Sequence, residues 1–236
     1  MRLSVMANAL KDQLANLQFQ NMAFEDRLGL LVDAKWNARK NNHLKKMIRK
    51  ATFPDSGACL ENVGHPPNRG LKQEELLQFG TCNYIQEHHN IILLSATGSG
   101  KTYLARALGT AAARRFYAVK YIRLPDLLVD FQIARGNDTI RKLMAQYRKY
   151  GLLIIDERLL YPLKETEARD LLEIVESRYK RNSTIICSQF DIPGWPERLS
   201  DPLLADVICD RIVHDAYTIV IGGKESMSKR SGLQDV

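Results

Sequence analysis

The sequence predicts an α/β fold: a five-stranded parallel sheet with helices on both faces, preceded by a small all-helical module. Three observations predict it. Short apolar runs at 91–94, 118–124, 151–156, 183–188 and 217–221 alternate with helical patterns, as in a doubly wound sheet. The first run opens into a small-residue loop that passes straight into a helical pattern. Residues 4–51 have no proline and one glycine, Gly29, so the chain's start reads as helix.

The elements can be taken in order. A first helix is expected over about 5–18, and a second begins near Phe24-Glu25-Asp26, where acids sit in a first helical turn. From Arg27 to Lys50 this helix carries eight basic residues (Arg27, Lys35, Arg39, Lys40, Lys45, Lys46, Arg49 and Lys50) against the single acid Asp33, a net +7 equal to the excess on the whole chain. At 100° per residue, Lys35, Arg39, Lys46, Arg49 and Lys50 share one arc, with Leu44, Met47, Ile48 and Ala51 opposite. Leu28, Leu31 and Val32 fall on the basic side, which predicts a bend or a change of packing partner near 33–36. A basic stripe with so few acids suits a phosphate backbone; an ordinary solvated helix face is the alternative. Residues 53–70 collect three prolines and three glycines without periodicity and mark a boundary. The expected organisation is a helical module at 1–53 that is a candidate for DNA binding, a linker at 54–70 and an α/β domain at 71–236.

Two short helices, 71–79 and 81–89, lead to the sequence IILLSATGSGKTYL at 91–104. Strand, loop and helix in this order let backbone N–H groups wrap a phosphate chain and aim a helix N-terminus at it. The candidate cradle is Ser95, Ala96, Thr97, Gly98, Ser99, Gly100, Lys101 and Thr102. Lys101 would reach the β- and γ-phosphates of ATP, and the Thr102 hydroxyl would sit on Mg²⁺. Ser95 stands where this motif opens with glycine, and is expected to strain or loosen the turn.

Beyond the loop come a helix at 101–115 with Leu104, Leu108, Ala111 and Ala112 inward, a strand at 118–124, and helices at 125–134 and 137–150. The apolar strand 151–156 ends in Asp156-Glu157, about 55 residues after Lys101. An acid at that strand end can hold Mg²⁺, and the next can polarise an attacking water. A helix at 164–180, a strand at 183–188, a helix started by Asp201-Pro202 and a last strand at 217–221 complete the pattern. Ser188-Gln189 at a strand end either meets the γ-phosphate or bonds its own loop. Arg211, read alone, is a surface arginine pairing with Asp215 four residues on.

No run approaches the roughly 18 apolar residues of a membrane span, and the first residues lack a signal-peptide core. Four separated cysteines without a CxxC spacing argue against zinc and disulfides and fit a reducing cytoplasm.

Taken with YIRLP at 121–125, LLIIDE before Tyr161-Pro162-Leu163, STIICSQF, Gly194-Trp195, DPLLAD at 201–206, DRIVH at 210–214 and GKESM at 223–227, the chain resembles the IstB/DnaC group of AAA+ ATPases, and more narrowly the IstB-like insertion-sequence helpers. The resemblance implies ATP between subunits of a ring or spiral on double-stranded DNA, with no C-terminal lid domain. It implies that Asp156 and Glu157 are the Walker B acids, Gln189 a sensor and Arg211 an arginine finger. It further implies that the assembly bends target DNA and passes it to a transposase, whose arrival stimulates hydrolysis and release. A DnaC-like loader of a replicative helicase is the alternative within the group. The insert at 125–150 would face DNA through Arg135, Arg141 and Lys142, or be a solvated basic face. Ser228 falls where the family often has arginine, so a contact there is expected to be missing.

Overall fold

The computed structural model describes residues 3–54, 57–63, 72–96, 98–158, 162–199 and 201–222, with Glu157 and Arg158 described by their backbone alone. Thr97, most of the expected linker and the tail with Ser228 lie outside the described residues. Contacts divide the chain into two units, Met1–Met47 and Ile48–Val236. The dividing line falls inside a helix, six residues before the composition break, because the last turn of that helix is part of the second unit's packing.

The first unit begins with α1 (Ser4–Ala15) and a 3-10 turn at Leu17–Phe19. It continues into α2 (Phe24–Ala51), with Glu25 and Asp26 in its first turn and Arg49 and Lys50 in its last, the arrangement a helix dipole favours. Helix α2 passes unbroken through residues 33–36. Of the apolar side chains on its basic side, Leu28 (43%) and Val32 (52%) stay exposed, whereas Leu31 is buried. Trp36 is 55% exposed, with the Lys40 ammonium 5.6 Å from its ring centre. Gln13 of α1 donates to the Arg27 carbonyl at 3.0 Å and ties the two helices.

The second unit contains α3 (Gln73–Gly80), α4 (Asn83–Gln86), β1 (Asn90–Leu94), α5 (Lys101–Arg114), β2 (Val119–Arg123), α6 (Leu124–Gly136), α7 (Ile140–Arg148), β3 (Leu152–Arg158), α8 (Glu165–Arg178), β4 (Ser183–Ser188), α9 (Pro202–Val213) and β5 (Ala216–Val220). The strands form one sheet in the order β2-β3-β4-β1-β5, with every pairing parallel. Leu124, expected to end β2, instead begins α6, where its buried side chain joins the core. The break between α6 and α7 falls at Asn137-Asp138, not at Arg135-Gly136, with Asp138 taking the left-handed turn (φ 55°).

One sheet face packs on α6–α9. Its core runs through Ile92, Leu153, Ile155 and Ile186 to Phe131, Leu171, Ile174, Trp195 and Ile208, all buried. The other face takes α5, whose Gly109 lies so close to the sheet that a Cβ there would stand 2.7 Å from Ile154 and 2.8 Å from Phe53. Arg178, wholly buried at the end of α8, donates to the carbonyls of Tyr147 (2.7 Å), Tyr150 (2.8 Å) and Ser183 (2.6 Å). It thereby ties α7 and α8 to the start of β4. Asp201 starts α9 by accepting from the backbone N–H of Leu203 at 2.8 Å and Leu204 at 3.3 Å.

Candidate nucleotide site

Parallel strands direct their carboxyl ends to one side, and the site lies there. The loop after β1 is built by two left-handed glycines, Gly98 (φ 78°) and Gly100 (φ 98°), the second serving as N-cap of α5. Both are positions a side chain strains. Ser95 is not one of them. Its N–H donates to the Ser188 carbonyl at 3.2 Å and its hydroxyl meets that of Ser99, which also bonds the Ala96 carbonyl at 2.7 Å. The serine therefore braces the loop rather than straining it, against the expectation from the missing glycine.

Lys101, the first residue of α5, is 8% exposed. Its ammonium donates to the carbonyls of Ser95 and Ala96, the latter at 2.9 Å. Burial pushes its pKa below the ordinary lysine range, opposed by the nearby Cys187 and Asp156. Thr102, one residue on, is half-buried.

Asp156 is 2% exposed and accepts a 2.7 Å hydrogen bond from the Tyr121 hydroxyl. Strand β4 lies between β1 and β3, and its Cys187 is close enough to both Lys101 and Asp156 to couple to each. Burial, and Asp156 beside it, push the Cys187 thiol well up, so it stays neutral. Strand β3 does not stop at Asp156 as expected but runs to Arg158. Its pairing with β4 slips between Ile155↔Ile186 and Arg158↔Ser188, so the irregularity falls on Asp156-Glu157. A bulge of this kind re-aims side chains where pairing ends. The Asp156 carboxylate and the Thr102 hydroxyl are hard oxygen donors, the few that Mg²⁺ takes from a protein when it keeps water and phosphate oxygens. The donor set fits that cation.

Gln189 comes directly after β4 and is half-buried. Ser188 beside it bonds its own loop: its hydroxyl donates to the Phe190 carbonyl at 2.8 Å and accepts from the indole N–H of the fully buried Trp195 at 3.1 Å. Arg211 pairs with Glu176 (3.1 Å) and Asp210 (3.2 Å) and lies 4.5 Å from the Tyr179 ring centre, whereas Asp215, its expected partner, pairs with His214.

Among the candidate DNA contacts, Arg39, Lys46, Arg49 and Lys50 of α2 and Arg141 and Lys142 of α7 are exposed, while Lys35 is half-buried. Arg135 differs. It forms a two-pronged ion pair with Asp170 of α8, whose side chain is 3% exposed. Burial raises the Asp170 pKa even against this arginine. The charge of Arg135 is thus committed within the fold. Sequence reasoning missed Tyr121 and Cys187 as neighbours of Asp156. Tyr121 was visible only as part of the YIRLP run, and nothing local pointed it at a carboxylate 35 positions away.

Among the described residues no helix is long and apolar enough to cross a membrane. Several solved structures share the fold. DnaI aligns with a TM-score of 0.60 at 19% identity over 75% of this chain and 93% of that one. The DnaC helicase loader gives 0.58 at 19% over 70% and 96%, and AMPPCP-bound DnaA from Aquifex aeolicus 0.59 at 22% over 75% and 53%. An insertion sequence ATP-binding protein of Sinorhizobium fredii is 35% identical, covering 95% of this chain and 91% of its own length. The IS1162 ATP-binding protein of Pseudomonas fluorescens is 33% identical over 83% and 89%. The family described as IstB-like ATP binding protein matches residues 1–234, and it is to this family that the chain belongs.

Proposed function

We propose that the chain is an ATP-hydrolysing helper of transposition. It assembles on duplex DNA when ATP is bound, remodels that DNA and presents it to the transposase of its insertion sequence, and it lets go on hydrolysis. What carries this reading is the buried Lys101 ammonium close enough to the buried Asp156 carboxylate to couple to it, in a chain whose relatives are insertion-sequence ATP-binding proteins.

Each residue has a role its position supports. The N–H groups of the loop and the Lys101 ammonium hold the β- and γ-phosphates. Thr102 and Asp156 would hold Mg²⁺, and the ion would supply positive charge to offset that developing on the phosphate oxygens. Glu157 takes a proton from the attacking water, Gln189 senses the γ-phosphate, and Arg211 leaves Glu176 to reach the nucleotide of a neighbouring copy. Lys35, Arg39, Lys46, Arg49, Lys50, Arg141 and Lys142 contact DNA phosphates, so binding is largely independent of sequence. Arg135 is withdrawn from that set by its pairing with Asp170.

The test is electron microscopy and DNA binding of the purified chain with ATP, with ADP and without nucleotide, together with capture of the transposase from the same insertion sequence. ATP-dependent assemblies on duplex DNA that retain the transposase are expected. Equal coating of DNA without nucleotide by a chain that stays monomeric with ATP overturns the reading. Capture of a hexameric helicase in place of the transposase would transfer it to helicase loading. Glu157→Gln is expected to trap ATP-bound assemblies on DNA, and normal phosphate release in that variant removes Glu157 as the base.

A further inference from the structure

The Tyr121–Asp156 hydrogen bond is one end of a longer connection. Tyr121 is 6% exposed and its hydroxyl reaches Asp156 at 2.7 Å. Its ring meets that of Phe53 edge-on, with centres 6.3 Å apart. Its backbone carbonyl, on the outer edge of the end strand β2, accepts from the Thr52 hydroxyl at 2.8 Å. Thr52 and Phe53 are the two residues immediately after α2, and Ala51, the last of that helix, is fully buried. All of these residues belong to the second unit, as do Arg49 and Lys50, the exposed cations of the same helical turn.

The seat is specific. Thr52 holds φ at 59°, a left-handed conformation that is an outlier for a β-branched residue and persists only where its surroundings enforce it. The enforcing contacts are visible. Its hydroxyl hydrogen is shared between the carbonyls of Tyr121 and Ala51 (2.7 Å), and its oxygen accepts from the Lys120 ammonium at 3.1 Å. Phe53 fills the place that a side chain at Gly109 would need, wedged between α5 and Ile154.

We propose that Tyr121 is a positioning residue. It fixes the Asp156 carboxylate for the cation of the bound nucleotide and, through Thr52 and Phe53, ties that carboxylate to the root of the basic helix. Phosphates gripped at Arg49 and Lys50 are then felt at the cation. The inference rests on the reading of Lys101, Thr102 and Asp156 as an ATP–Mg²⁺ site and of α2 as a DNA contact. Orienting groups of this kind are worth roughly 10- to 100-fold in metal affinity. Tyr121→Phe keeps the ring against Phe53 and removes only the hydroxyl.

The experiment uses the full chain with a fluorescent ATP analogue. Affinity is measured first in EDTA, and Mg²⁺ is then titrated with and without a mixed-sequence duplex. Duplex DNA is expected to shift the half-saturating Mg²⁺ concentration of the wild type by about fivefold or more. Tyr121→Phe is expected to raise that concentration about tenfold, to lose the DNA-induced shift, and to bind the analogue normally in EDTA. Thr52→Ala is expected to lose the shift and Thr52→Ser to restore it. Wild-type Mg²⁺ dependence in Tyr121→Phe, or an intact shift in Thr52→Ala, overturns the inference while leaving the nucleotide site standing. A wild type that binds no analogue, or no duplex, removes the underlying reading and this inference with it.

Discussion

Replacing Lys101 by alanine removes the one ammonium buried in the phosphate loop, and nucleotide affinity should fall by about 3 kcal/mol, two orders of magnitude in Kd. Unchanged affinity, measured by calorimetry, would contradict the loop assignment. The same residue gives a pH dependence. A triphosphate favours the charged lysine, so affinity is full below the pKa of Lys101 in the free protein and declines as pH rises through it. Burial has lowered that pKa, so the decline should begin at less alkaline pH than for an exposed lysine. Ser95→Gly should leave affinity within about threefold, because the left-handed positions are Gly98 and Gly100. Asp170 carries a different dependence. Its raised pKa means that its contribution to stability is complete below the unfolded value and is lost as pH rises through the folded one. Arg135→Ala strips the partner from a nearly buried carboxylate and should cost about 2 kcal/mol at neutral pH. In thermal melts that deficit should shrink in acid, where Asp170 is neutral.

Helix α2 and helix α7 divide the proposed DNA contacts, and the salt dependence of binding can apportion them. Arg141→Ala and Lys142→Ala should each reduce the slope of log K against log salt by about 1. Arg135→Ala, whose charge already belongs to Asp170, should leave the slope unchanged. Truncation also has a sharp boundary. Removing residues 1–47 should weaken DNA binding and flatten its salt dependence while the rest melts as before. Removing 1–53 should in addition lower stability by about 2 kcal/mol, since it takes away Ala51 and the Phe53 wedge against Gly109. The sequence pointed to a break at 53–54 because proline and glycine begin there. Composition does not record that Ala51 and Phe53 pack within the second unit.

At the scale of the whole molecule, strand positions could be read to within a residue or two, since apolar runs between amphipathic helices admit little else. The strand, loop and helix at 90–114 and the strand that carries Asp156 were readable for the same reason: both are local patterns. What could not be read depends on residues meeting from afar. Tyr121 finds Asp156 because β2 and β3 are neighbours in the sheet, and Cys187 comes beside Asp156 because β4 is the other neighbour of β3. Arg135 finds Asp170 because α6 and α8 share a sheet face, and its basic surroundings in the sequence hid that pairing. The extension of β3 to Arg158 rests on a slip in register that no run of residue types announces.

The chain's two tryptophans are placed oppositely, one per unit. Trp36 is open to solvent on α2, and Trp195 is sealed and hydrogen-bonded to Ser188 of β4. The protein therefore carries a pair of built-in optical reporters. Iodide should extinguish the emission of the first and spare the second. Events on the basic helix and events near the nucleotide can then be followed separately in the unlabelled protein, and in real time.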